Sequence, residues 1–403
     1  MLTKRFLHYV SYDTQSDDTS LTIPSTKKQL ELSKVLVEEL HNLGVSNAFL
    51  DEYGVVYARI EALNASEDAP TIGLNAHVDT ALELSGANVK PRIIKNYDGK
   101  TITLNKELDI YMDPSDFPEL NEVIGDDLIV TDGTTLLGGD DKAGIAIIMS
   151  AVEKVLQNKE KLTAHVALSF TPDEEIGRGV ENFNLDHFKA TYAYTVDGGN
   201  IAYANYENFN AASANVCIHG KAIHPGTAKD KMINASTVAM EFHSLLDPNA
   251  VPEKTSNYEG FNHLTSMEGG VEQATLNYII RNHNEIYLQE QKDSFHHAAQ
   301  IINKKFGERL VKVEIEDSYK NMAALIKEDR RCLDRLEKAY ELLNLPLSYI
   351  PIRGGTDGAG LSYQGVLTPN LGTGGYYAHG KYEFVSINQM QTMVEIIYTL
   401  LTL

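Results

Sequence analysis

The stretch that decides the fold is LLGGDDKAGIAIIMSAVEKVLQNKEKLTAHVALSF, residues 136–170. Behind GGDDKAG, the apolar residues Ile145, Ile148, Met149, Val152, Val155 and Leu156 recur at helical spacing. Ala164 to Phe170 then runs apolar, as a buried strand does. The pattern extends outward on both sides. Thr71 to Val78 is nearly continuous apolar, which suits a strand covered on both faces, and Thr191 to Val196 is a further run. Val55 to Ile60 also reads as a strand, and Lys27 to Leu43 as a helix stopped by Gly44. Strand, helix and strand in alternation indicate an α/β sheet with parallel pairs.

After about Asn210 the pattern changes. Ala211 to His219 alternates, Asn234 to Leu246 is helical, Ala274 to Arg281 is strand-like, Ile286 to Phe306 is helical and Val311 to Ile315 alternates again. A chain of 403 residues is too long for one ordinary core, since cores stop growing near roughly 250–300 residues. The simplest arrangement is a discontinuous α/β domain, residues 1–209 and 321–403, interrupted by an α+β domain over 210–320.

The chain is 43% hydrophobic and 23% charged, an ordinary globular balance. Its net charge of -21 repels phosphate backbones and anionic lipid, so neither nucleic acid nor a membrane is expected as a partner. No apolar run approaches the roughly 18–20 residues of a membrane span. Cys217 and Cys332 lie far apart and form no C-x-x-C pair, which indicates neither a disulfide framework nor a cysteine metal site. The N-terminal MLTKRFLHYVSYDTQS reads as the start of a helix rather than a signal peptide. A cytoplasmic protein is expected.

Four polar stretches interrupt this frame: NAHVDT at 75–80, GGDDKAG at 138–144, TPDEEIG at 171–177 and TVDGG at 195–199. Each has a bland reading alone. His-x-Asp can be a hydrogen-bonded pair, DDKAG a helix cap, TPDEEIG a solvated loop and VDGG a tight turn. Together they fall at comparable places in an α/β pattern, three directly after strands and one opening a helix. Ligands in open α/β sheets bind beyond the carboxyl ends of strands, so His77, Asp79, Asp140, Glu174, Glu175 and Asp197 converge on this reading. Imidazole and carboxylate donors without thiolates suit zinc, manganese or cobalt. A carboxylate bridging two ions would build a hydrolytic centre that activates water. Adjacent glutamates fit such a centre, one as a ligand and the other as the base.

A paired site wants a second imidazole. His379, in the Gly-rich GYYAHGKYEF before the last helix, is the best candidate. His165 lies inside an apolar strand, and His296 and His297 on a helix of the inserted domain, so these read as structural and surface residues. HPG at 224–226 opens a loop that looks like a substrate contact. IRGGTDGAG at 352–360 lacks the G-K-[ST] of a P-loop, and its Arg353 suits a carboxylate, as does Arg281 at a strand end. A structural salt bridge is an equal reading for either arginine.

HVD, DDKAG, PDEEIG, DGG, an insertion carrying HPG and a late histidine together resemble the co-catalytic zinc metallopeptidases related to aminoacylase, carboxypeptidase G and succinyl-diaminopimelate desuccinylase. The resemblance runs from RFLHYVSYDTQS to TGGYYAHGKYEFV, almost the whole chain. It implies a zinc-peptidase domain with a mixed, mostly parallel sheet flanked by helices, interrupted by a smaller ferredoxin-like lid domain. It implies two Zn2+, with Co2+ or Mn2+ as substitutes: one on His77 and Asp197, the other on Glu175 and His379, and Asp140 bridging. Asp79 would orient His77 and Glu174 would be the general base. His224 would meet the scissile carbonyl, and Arg281 and Arg353 a substrate carboxylate. The activity implied is removal of the N-terminal residue from tripeptides. The alternative is a family-related deacylase of N-acyl amino acids or dipeptides. A short peptide is the partner implied, and a homodimer through the inserted domain the assembly. One departure is visible: Gly139 stands where the resemblance leads one to expect alanine.

Overall fold

The computed structural model describes residues 1–63, 65–66, 68–306 and 309–403. The chain divides into two compact units, one of residues 1–206, 324–350 and 356–403, the other of 207–323 and 351–355.

The first unit is built on an eight-stranded mixed sheet. Four adjacent strands at its centre run parallel: His165–Thr171, Thr71–His77, Tyr192–Gly198 and Asn370–Gly372. Val56–Ile60 joins antiparallel beside His165–Thr171, with Phe49–Leu50 outside it. Tyr203–Asn205 and Ser348–Tyr349 extend the other edge. Every residue of Thr71–His77 is buried, as its nearly continuous apolar pattern requires of a strand covered on both faces.

Helix Gly139–Gln157 packs against the sheet at Thr71–His77 and Tyr192–Gly198, and against the terminal helix Ile387–Thr402. Gly144 permits that approach. A Cβ built there would fall 1.8 Å from the Val196 carbonyl oxygen, so any side chain would force helix and strand apart.

Two features of this unit escape periodicity. Strands Arg92–Ile94, Leu128–Val130, Phe384–Ser386 and Gly375–Tyr376 form a separate four-stranded antiparallel sheet. These strands are two or three residues long, too short to display a period of two. Tyr97, Met112, Leu120 and Val123 make a small core beside them, with the hairpin Ile102–Asn105 and Ile110–Met112.

The second unit is a ferredoxin-like β-α-β-β-α-β array. Its antiparallel strands lie in the order Phe261–Gly269, Gln273–Asn282, Asn210–His219 and Val311–Tyr319. Helices Ala235–Ser244 and Glu285–Phe306 contribute Phe242 and Phe295 to a core with Val216, Leu276 and Ile280. Phe261–Gly269 went unread in the sequence, because five of its last seven residues are polar or glycine and its outer end is exposed.

Pro351–Gly355 departs from the sequence pattern, which assigns it to the α/β domain. Its backbone and side chains are bonded within the second unit. Ile352 N–H donates to the Glu207 carbonyl at 2.8 Å, and Arg353 Nη1 donates to the carbonyls of Asn257 and Glu259.

Among the described residues no helix is long and apolar enough to cross a membrane.

Candidate active site

The parallel strands deliver three of the polar stretches to one edge of the first unit. His77 ends its strand, Thr171 ends the next and leads into Glu174–Ile176, and Asp197 sits at the end of Tyr192–Gly198. Asp140 arrives from the start of helix Gly139–Gln157, where Asp140 and Asp141 have non-helical backbone and the peptide between them is cis. His379 comes from the loop after Gly375–Tyr376.

Among the described residues, two groups of side chains could hold a metal ion: His77, Asp140 and Asp197, and Asp140, Glu175 and His379. Asp140 belongs to both. Its Oδ1 lies 2.9 Å from His77 Nε2 and its Oδ2 lies 3.4 Å from His379 Nε2. Asp197 Oδ1 is 3.5 Å from His77 Nε2, and Glu175 Oε2 is 2.9 Å from His379 Nε2.

Behind the ligand atoms stands a layer of carboxylates. Asp79 is fully buried. Its Oδ1 is 3.3 Å from His77 Nδ1, and its two oxygens accept from the backbone N–H groups of Glu174 and Glu175 at 3.0 and 3.1 Å. Asp79 therefore meets the imidazole through its backbone carbonyl, 3.1 Å from Nδ1, as well as its carboxylate, and pins the Glu174–Glu175 turn. The sequence pointed to the first task only.

Glu383 was not singled out in the sequence. Its carboxylate accepts from Leu137, Gly138 and Asp140 N–H at 2.8 to 2.9 Å, holding the turn that presents Asp140. Gly139 now has a reason: a Cβ there would lie 2.7 Å from Val385 Cγ1 and 2.9 Å from Glu383 Oε1.

Asp141, Asp173, Asp357 and Glu83 were also unread. Asp141 accepts from His77 and Gly144 N–H. Asp173 accepts from Ser25 and Gln29, tying the PDEE turn to the N-terminal segment. Asp357 accepts from Thr171 Oγ1 at 2.6 Å, and Glu83 Oε1 lies 3.4 Å from His379 Nδ1. The available signal was proximity to the motifs: Glu383 follows His379 by four residues, and Asp357 lies in the Gly-rich 352–360 stretch noted for its arginine.

The electrostatics of the cluster call for positive charge. Burial pushes Asp197 up to about 7, with Asp140 adding to the shift against the opposing pull of His77. Burial also raises Glu174 well above the usual carboxylate range, reinforced by Asp197, Asp357 and Glu175. Asp140 moves the other way: burial would raise it, but hydrogen bonds with His379 and His77 hold it far below the usual range. Bonds to Asp140 and Glu175 lift His379 to about 11. The crowded anions raise His77 and His379 alike, and a divalent cation answers the same anions while leaving imidazole neutral to ligate. Glu175 Oε1 is buried without a hydrogen-bond partner, as an oxygen awaiting a cation would be. The donor set fits a pair of divalent ions.

The remaining sequence candidates fall elsewhere. His224 caps the short turn Pro225–Thr227 in the second unit, its Nδ1 accepting from Gly226 N–H. Arg281 Nη1 donates to the carbonyls of Ala212 and Ile280, and the guanidinium lies over Tyr319. Arg353 is more fully engaged: besides its Nη1 bonds, Nη2 donates to Thr255 Oγ1 and the group covers Phe209. His165 pairs with Glu61 at 2.5 Å, and His296 and His297 are exposed.

A family model described as peptidase family M20/M25/M40 matches residues 136–403. The chain is 47% identical over 400 residues to a protein of Clostridium acetobutylicum named Peptidase T, covering 99% of this chain and 98% of that one. Among solved structures, aminopeptidase PepT from Bacillus cereus is similar with a TM-score of 0.76 at 21% identity, over 100% of this chain and 97% of that one. A tripeptidase from Staphylococcus aureus matches with a TM-score of 0.77 at 18% identity over the same shares.

Proposed function

The chain belongs to peptidase family M20/M25/M40, and on that footing we propose that it is a tripeptide aminopeptidase, a metal-dependent hydrolase that releases the N-terminal residue of short peptides. Full-length identity of 47% to a Peptidase T supports the substrate class. The observation that carries the chemistry is Asp140, which turns one carboxylate oxygen to each of two imidazoles.

In this reading His77 and Asp197 hold one zinc ion, Glu175 and His379 hold a second, and Asp140 is common to both; cobalt or manganese would satisfy the same donors. Such ions, when bound, polarise the scissile carbonyl and acidify a water between them. Asp79 keeps the His77 ring and the Glu174–Glu175 turn in register, and Glu383 does the same for Asp140. Glu174 is left outside both ligand groups, so it takes the proton of the attacking water and passes it to the leaving amine. Of the two arginines, Arg281 has its Nε and Nη2 outside the bonds described, so it is the better match for the peptide's C-terminal carboxylate. Arg353 is the weaker candidate, and His224 is assigned to the scissile carbonyl. The enzyme is assigned to the cytoplasm, in keeping with two unpaired cysteines, with a homodimer through the second unit as its assembly.

The test is incubation of the zinc- or cobalt-loaded protein with Ala-Ala-Ala, Ala-Ala and N-acetyl-alanine. Free alanine together with Ala-Ala is expected from the tripeptide. Alanine released only from the acetylated substrate would replace the aminopeptidase with a deacylase.

A further inference from the structure

The loop 171–179, TPDEEIGRG, carries both Glu174 and Glu175, and its two ends meet the same side chain. At its start Thr171 Oγ1 donates to Asp357 Oδ2 at 2.6 Å. At its end a Cβ built on Gly179 would fall 2.2 Å from Asp357 Oδ1 and 2.7 Å from Cγ, so the backbone passes directly against the carboxylate and only glycine allows it. We propose that Asp357 is a positioning residue for the reaction: it holds this loop at both ends and so fixes the backbone from which Glu174 reaches the ligand groups. The proposal rests on the assignment of Glu174 as the base.

The sheet places Asp357 for this task. Ser169, Asn75, Thr195 and Asn370 are register partners on four adjacent parallel strands, so they form one row across the sheet. All four are buried. Ser169 Oγ donates to Asn75 Oδ1 at 2.6 Å, Thr195 Oγ1 donates to Asn370 Oδ1, and Asn370 Oδ1 also accepts from Thr356 Oγ1 at 3.0 Å. Thr171, His77 and Asp197 lie two residues further along three of these strands, on the same face as the row. Asp357 Oδ2 accepts from Asn75 Nδ2 at 3.4 Å as well as from Thr171, so its carboxylate stands between the polar row and the row that carries the candidate ligands.

The helix Asp357–Tyr363 and the residue after it continue the grip on the loop's far end. A Cβ on Gly360 would fall 2.3 Å from Val180 Cγ2, and Gln364 Nε2 donates to the Val180 carbonyl at 2.9 Å. Helix and chain are thus fitted to each other over successive turns.

A charge stands where neutral groups would have satisfied the packing. Elsewhere in the row the hydrogen bonds run between hydroxyls and amides. At Thr171 the acceptor is a buried carboxylate, and 2.6 Å is the length of a charge-assisted O–H···O⁻ bond, roughly twice as strong as a neutral one. Asp79 holds the middle of the loop through the N–H groups of Glu174 and Glu175. Asp79 and Asp357 together fix the loop at its start, its middle and its end. Such fixing matters because a misplacement of about 1 Å can cost about 100-fold in rate.

The experiment compares Asp357→Ala with Asp357→Asn, and Thr171→Val with Thr171→Ser, in the metal-loaded enzyme. Asn keeps an oxygen for the Thr171 hydroxyl, and Ser keeps the hydroxyl itself. Asp357→Ala and Thr171→Val should each lower kcat on Ala-Ala-Ala by about 10–100-fold, with KM within about twofold of the parent. Asp357→Asn and Thr171→Ser should recover most of that loss. Joining Asp357→Ala to Thr171→Val should cost little beyond either alone, as two halves of one bond do. Hydrogen exchange gives a readout that needs no turnover: the Glu174 and Glu175 amides should exchange faster in Asp357→Ala while those of Thr71–His77 keep the parent rate. Parent-like kcat in Asp357→Ala and Thr171→Val, or equal losses in the two members of each pair, overturns the assignment. Should Asp357→Ala fail to fold, the Thr171 pair decides the matter. If the parent releases alanine only from N-acetyl-alanine, the aminopeptidase reading has failed, and the same variants on that substrate still decide the role of Asp357.

Discussion

Strand Thr71–His77 of the first unit is buried at every position, whereas Gln273–Asn282 of the second unit alternates buried residues with more accessible ones. Both strands are central in their sheets. The alternating strand places polar residues at the solvent face, where Asn277 pairs with Asn215 at 2.7 Å and water meets the remaining demand. The doubly covered strand has no such outlet. Its polar residues Thr71, Asn75 and His77 must be satisfied internally, and at its carboxyl end His77 faces Asp79, Asp140 and Asp197. Buried polarity in the first unit thus marks chemistry, while ordered alternation in the second marks packing; among the described residues no candidate metal group lies in the second unit.

The sharpest way to break this contrast is Glu174→Gln. If Glu174 is the base, kcat on Ala-Ala-Ala should fall by about 10²–10⁴-fold while metal content, read by elemental analysis, stays at the parent level. Full activity in the variant would remove Glu174 from the chemistry. Phe295→Ala tests the other side. Phe295 is fully buried in the second unit, so its loss should cost about 3–5 kcal/mol in denaturant unfolding of that unit. Metal content should not change; a loss of metal would show that the packing region also builds the site.

Chelation should separate the units in the opposite direction. Stripping metal present at about 100 to 1,000 times its Kd removes about 2.7–4.1 kcal/mol from whichever unit binds it. Calorimetry should show the first unit's transition falling and the second unit's holding; equal shifts would contradict the placement of all five ligands in the first unit. The smallest effect concerns the thiols. Burial pushes the Cys332 thiol up to about 12, so it should resist iodoacetamide at pH 8 in the folded protein. Cys217, half-buried on the second unit's sheet, should be the only cysteine labelled, and peptide mapping reads the difference.

Much of this was legible beforehand. The long strands and helices announced themselves through period, and the candidate ligands through residue type at strand ends. The short strands around 92–130 and 375–386 were not legible, because two or three residues carry no period. Phe261–Gly269 was missed because an exposed, polar edge strand looks like a loop. Glu383 was missed because a glutamate in a Gly-rich loop looks solvated until three backbone N–H groups are seen to converge on it. Arg353 suits a carboxylate by residue type, yet its Nη1 donates to the Asn257 and Glu259 carbonyls and its Nη2 to Thr255 Oγ1, partners that no local pattern records.

The sequence by itself determined the alternation of elements, the insertion and the donor types, because these are encoded in spacing and side-chain chemistry over a few residues. Only the tertiary structure decided that Asp140 divides its oxygens between His77 and His379 and that Asp79 serves both an imidazole and a turn. The reason is strand order. His165–Thr171 inserts between Val56–Ile60 and Thr71–His77, bringing together residues about a hundred positions apart, and no local pattern records that neighbour choice.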